Sequence, residues 1–134
     1  MFEYYAEVQR VVDGDTVDVL VDLGMGVFRS ERLRLSRINA WEKFGEHKEK
    51  GKLAKQRLTE LIPVGTKILI KTNKDKRGKF GRYLAEIYTL DATDNKDLNM
   101  NDLMLNEGHA VPYNGGARAK TPKPTEKEKG KNEQ

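Results

Sequence analysis

The chain has 134 residues, enough for one domain with a single core and too few for two of ordinary size. It has no cysteine, which excludes disulfides and thiolate metal sites, and its two histidines leave oxygen as the main ligand type for any metal. The 25 basic and 21 acidic side chains leave a net charge of +4, and no apolar run approaches the roughly 20 residues of a membrane span.

The first five residues, Met1 to Tyr5, lack the basic start and apolar stretch of a signal peptide, so a cytoplasmic protein away from membranes is expected. Residues 3–12 and 15–22 read as two strands split by the turn Asp13-Gly14. In the second, Val17, Val19 and Val21 alternate with polar residues, so one face is buried and one is wet. Gly24-Met25-Gly26 turns the chain into a third strand over 27–38, with Leu33 and Leu35 inward. Its alternation weakens at Ser36-Arg37-Ile38, which suggests a bulge.

The period changes over 46–62, where Ala54, Leu58, Leu61 and Ile62 share a helical face until Pro63-Val64-Gly65 ends it. Strands follow at 66–72 and 82–90. A short helix at about 99–107 turns Met100, Leu103 and Met104 to the core and stops at Gly108. From Ala117 on, prolines, charges and the lack of large apolar residues predict a disordered tail. The order predicts an α+β, mainly β fold: a five-stranded OB-type barrel with one helix between strands three and four and one after strand five. The expected division is a domain over 1–116 and a basic tail over 117–134.

Charge is unevenly placed. Residues 1–116 carry 19 basic and 18 acidic side chains, and the tail carries 6 and 3. Residues 67–82 hold seven basic residues against Asp75 alone, a stripe able to attract phosphate.

Three segments could carry chemistry. Asp15 shares the parity of the inward valines, and an acid there is costly unless it meets a cation or good donors. Arg34 lies between two inward leucines, ahead of Asn39-Ala40-Trp41-Glu42. In Lys74–Arg82, Gly78 and Gly81 let the backbone turn sharply or approach a ligand. Taken singly, each has a plain alternative as a turn acid, a polar loop or a solvated hairpin. His47 and His109 are assigned no metal or catalytic role.

Together, Asp13-Gly14-Asp15-Thr16, Arg34 with Asn39 and Glu42, and Lys79-Phe80-Gly81-Arg82 resemble the signature segments of the staphylococcal nuclease family, in its order. The resemblance runs from about residue 4 to 113. It implies a calcium-dependent nuclease acting on DNA or RNA, single-stranded or frayed, and leaving 3′-phosphate ends. Asp15, Asn39 and the Ala40 backbone carbonyl would be the metal ligands, all hard oxygens as Ca²⁺ requires. Other divalent ions could substitute. Arg34 and Arg82 would bind the phosphate, and Glu42 would be the general base. Lys79, Phe80 and Tyr113 would contact substrate. A monomer is expected.

The pattern departs from the family in four places. Asn39 stands where the family has a second metal aspartate, Ala40-Trp41 replaces a common Thr-Pro, and Phe80 replaces a tyrosine. The chain also runs into its polar tail where a third helix is usual. Asn39 keeps open an alternative, a degenerate barrel that binds nucleic acid or protein without cleaving.

Overall fold

The computed structural model describes residues 2–42, 45–73, 83–90 and 98–113. Five strands close a barrel in the order β1-β2-β3-β6-β5. They are β1 (Phe2–Asp13), β2 (Thr16–Gly24), β3 (Val27–Leu35), β5 (Lys67–Asn73) and β6 (Tyr83–Thr89). All barrel pairs are antiparallel except β3 with β6, the parallel closure over Leu33–Leu35. Helix α1 (Lys48–Leu61) lies between β3 and β5, and α2 (Met100–Asn106) follows β6. This is the OB-type α+β architecture that the element order implies.

Alternation builds the core. Val17, Val19 and Val21 of β2, Leu33 and Leu35 of β3, and Ile68 and Ile70 of β5 are all buried. Each such side chain contributes roughly 1.5–3 kcal/mol by leaving water. Ala54, Leu58 and Ile62 close the barrel from α1, and Met100 and Met104 do so from α2. Leu61 and Leu103, expected on the same faces, are partly buried and packed against that core. Helix α1 ends where Ile62 N–H still reaches the Leu58 carbonyl, before Pro63. Asn99 caps α2 by accepting from Asp102 N–H at 2.8 Å.

The third strand differs from its sequence reading. It does not run to residue 38 through a bulge. It ends at Leu35, turns at Ser36-Arg37, and restarts as β4 (Ile38–Ala40), which pairs with β7 (Ala110–Pro112) in a separate two-stranded sheet. Arg37 takes φ +71°, a conformation costly for a residue with a side chain. Its guanidinium is held there by Glu86 at 2.6 Å and Asp102 at 2.9 Å.

Asn101 ties this turn to the barrel from inside. It is fully buried, accepts from Ile87 N–H at 3.1 Å, and donates to the carbonyls of Ser36 at 2.8 Å and Ala85 at 3.0 Å. Replacing it by alanine strips partners from buried backbone groups on β6 and at the turn. Asn101→Ala is expected to cost about 2–4 kcal/mol in urea unfolding, with Asn106→Ala, an exposed position on the same helix, costing much less.

Candidate functional site

The turn between β1 and β2 delivers Asp15 to the interior. Its neighbour Gly14 is buried, and a Cβ there would lie 2.8 Å from the Ala54 Cβ and 3.0 Å from the Ala40 Cβ. The missing side chain lets this turn sit directly between α1 and β4. Asp15 is 6% exposed, and it meets the donors that its parity demands. Oδ1 accepts from the Thr16 hydroxyl at 3.0 Å, and Oδ2 accepts from Ala40 N–H at 2.9 Å.

The cation is Arg34. Its Nη2 is 3.4 Å from Asp15 Oδ2 and donates to Asn39 Oδ1 at 3.1 Å, while Nη1 reaches the Leu35 carbonyl at 3.3 Å. Asp15 and Asn39 therefore aim their oxygens at one point, and a positive nitrogen stands there. The cluster is buried throughout, with Arg34 6% and Asn39 3% exposed. One carboxylate and one guanidinium leave it formally neutral. Among the described residues no three carboxylates or histidines gather around a common point.

Strand β7 completes the site from the far end of the chain. Its pairing with β4 sets Asn39 opposite Val111 and Ala40 opposite Ala110. Tyr113 follows at once, its N–H bonded to the Arg37 carbonyl at 2.8 Å and its ring 5.1 Å from the Arg34 guanidinium. A cation over an aromatic face is favourable, more so when shielded from water. Trp41 is buried by packing: its indole N–H donates to the Gly108 carbonyl at 3.1 Å, and Lys50 lies 4.5 Å over its ring. Glu42 is partly exposed, two residues beyond the end of β4.

The structure thus joins Asp15, Arg34, Asn39 and Tyr113 and leaves Glu42 beside them in sequence. Lys79, Phe80 and Arg82 lie outside the described residues, as does the tail over 117–134. Thr16 has a part that sequence reasoning passed over, although it belongs to the Asp13–Thr16 signature. His47 meets the Trp41 ring at 4.9 Å, and His109 lies 3.9 Å from Glu107; neither touches the cluster. A cavity of about 300 Å³ at one mouth of the barrel is lined by Phe2, Tyr4, Leu23 and Tyr83 among others, and none of the candidate residues lines it.

A second polar group fixes where Asn39 begins. Glu86 accepts from Ser36 at 2.7 Å, from Arg37 at 2.6 Å and from Asn99 at 3.0 Å. Burial works against its charge, but the hydrogen bonds from Arg37, Asn99 and Ser36 together outweigh burial and draw the carboxyl down to about 2. Its ordinary value is 4.5. The resulting stability is complete above that value and is lost as pH falls toward 2. Allowing for solvent screening, unfolding free energy is expected to fall by roughly 1–2 kcal/mol from this group across that window. Urea titrations at a series of pH values check this, and Glu86→Gln should flatten that part of the profile.

Comparison with known proteins relates the chain to a family and to a bacterial protein. A family model described as staphylococcal nuclease homologue matches residues 32–133. Protein ParB of Escherichia coli is 32% identical over 126 residues, which is 90% of this chain. The chain spans 63% of the length of ParB.

Proposed function

The chain belongs to the staphylococcal nuclease family, and on that footing we propose that it is a divalent-metal-dependent nuclease, with calcium the first candidate ion. The observation that carries this reading is the convergence of Asp15 and Asn39 oxygens on the Arg34 guanidinium in a buried cluster. A purely structural barrel gains little from burying an acid, an amide and an arginine together, because desolvation offsets most of their attraction.

The donor set fits a hard cation. Asp15 and Asn39 supply oxygens that already meet at one positive atom, and the Ala40 carbonyl is the third donor in the proposal. When bound, the ion would polarise a phosphoryl oxygen and lower the pKa of water. The other tasks fall to the chain itself. Arg34 binds a non-bridging phosphate oxygen, with Tyr113 holding its plane. Arg82 approaches the phosphate from another side, and Lys79 and Phe80 hold the neighbouring nucleotide. Glu42 takes the proton of the attacking water. The water oxygen bonds to phosphorus, the P–O5′ bond breaks, the leaving 5′ oxygen takes a proton from solvent water, and the products are a 3′-phosphate and a 5′-hydroxyl. The substrate is DNA or RNA in single-stranded or frayed form, since the reacting nucleotide must leave its stack to reach a buried arginine.

Asn39 favours a second reading, a barrel that binds nucleic acid without cleaving it. It gives the cluster one carboxylate rather than two, and Arg34 competes with a metal for the same oxygens.

Cleavage of labelled single-stranded DNA separates the two. The nuclease cuts with calcium, stops with excess chelator, and loses activity by two or more orders of magnitude in Glu42→Gln while DNA binding persists. Retained binding with no cleavage in calcium, magnesium or manganese would leave the binding module. Asn39→Asp adds a full charge at the convergence point, and calorimetry should find calcium bound about 10-fold tighter or more. Equal affinity would remove Asn39 from the ligand set.

A further inference from the structure

Among the described residues, strand β3 is paired along one edge for its whole length and along the other only at its end. Its register with β2 is unbroken from Phe28 opposite Asp22 to Arg34 opposite Thr16. Strand β6 meets only Leu33, Arg34 and Leu35. Among the described residues nothing pairs with the second edge of Val27–Arg32, and Val27 and Phe28 are more than half exposed there. An edge without a partner among the described residues can template another strand.

The hydrogen-bond phase of that edge follows from two bonds. Leu35 N–H points to β2, where it donates to the Asp15 carbonyl at 2.8 Å, and Ser36 N–H points to β6, where it donates to the Ala85 carbonyl at 2.9 Å. The direction alternates along an unbroken strand. Phe28, Ser30 and Arg32 therefore turn their N–H and C=O groups to this second edge.

We propose that this edge pairs antiparallel with the same edge of a second copy of the chain, about a two-fold axis through Ser30. The sequence Phe28-Arg29-Ser30-Glu31-Arg32 is self-complementary about that residue. Ser30 exchanges hydrogen bonds with the partner's Ser30, and Phe28 does so with the partner's Arg32. Arg29 then falls opposite the partner's Glu31 at a non-hydrogen-bonded position, where side chains lie closest. The pair occurs twice, and so does the contact of the Phe28 ring with the partner's Arg32 guanidinium.

Charge also fixes the register. Sliding the axis to residue 29 sets arginine against arginine, and sliding it to residue 31 sets glutamate against glutamate. Within one chain Arg29 already pairs with Glu31, so the dimer exchanges these partners without stranding either charge. Nucleic acid is the poorer occupant of this sheet, because on the same outer face Glu3, Glu7, Asp18 and Asp22 offset Arg10, Arg32, Lys67 and Lys71. The contact spans few residues, so the dimer is weak and depends on concentration. It departs from the monomer expected of the sequence. Arg34 has the parity of Ser30, which brings the two candidate sites to one side of the joined sheet, about 27 Å apart along the strands.

Sedimentation velocity of the full chain tests this. The mass is expected to rise from one chain toward two between about 10 µM and about 1 mM. Arg29→Glu and Glu31→Arg should each weaken the dimer at least about 10-fold while circular dichroism stays native. Mixing the two single variants should restore it, because each then meets opposite charge across the axis. A wild-type chain that stays monomeric over that range overturns the proposal, as does a dimer that neither variant weakens. If a variant misfolds, the wild-type series decides alone.

Discussion

The site depends on satisfying one buried negative charge. Asp15 lies just before β2 on the core side, where an unpaired carboxylate would cost several kcal/mol. Its partners come from three elements: the Thr16 hydroxyl on β2, the Arg34 guanidinium on β3, and Ala40 N–H on β4. The charge therefore fixes how the short sheet of β4 and β7 sits against the barrel. Arg34 is in turn held by Asn39 and faced by Tyr113, which links the members of the cluster to one another. What recommends these residues for binding a cation and a phosphate also keeps them in order without either.

The turn between β3 and β4 is the second fixed point. Arg37 accepts a left-handed backbone because Glu86 and Asp102 hold its side chain, and Asn101 bonds the Ser36 carbonyl from below. These groups lie on β6 and α2, which follow the site in sequence. The barrel thus positions Asn39 through polar contacts supplied by the second half of the chain.

Much of this was legible in the residues, for reasons that can be named. Period-two valines marked β2, and the acid sharing their parity was the signal for Asp15. The helical face of Ala54 and Leu58 marked α1, and Gly108 marked the end of α2. The break after Leu35 was not legible, because a residue other than glycine makes the left-handed turn and its stabilisers are about fifty and sixty-five positions away. Strand β7 is three residues long, too short for any periodicity; the apolar Ala110-Val111 after a helix stop was the only hint. Nor could a sequence show that Arg34 bends toward Asn39 and Asp15 together, since that depends on where β4 lies.

Gly14 ties the inheritance of the helix to that of the site. With so little room between this turn, Ala54 and Ala40, even one added methyl group must displace a neighbour. Substitutions at these three positions are therefore not independent: a larger residue at one survives only in a background that has already made room at another. Across descendants of this sequence, the helix and the turn bearing Asp15 should drift as a single unit, and grafting either into a relative without the other would separate parts that share one volume.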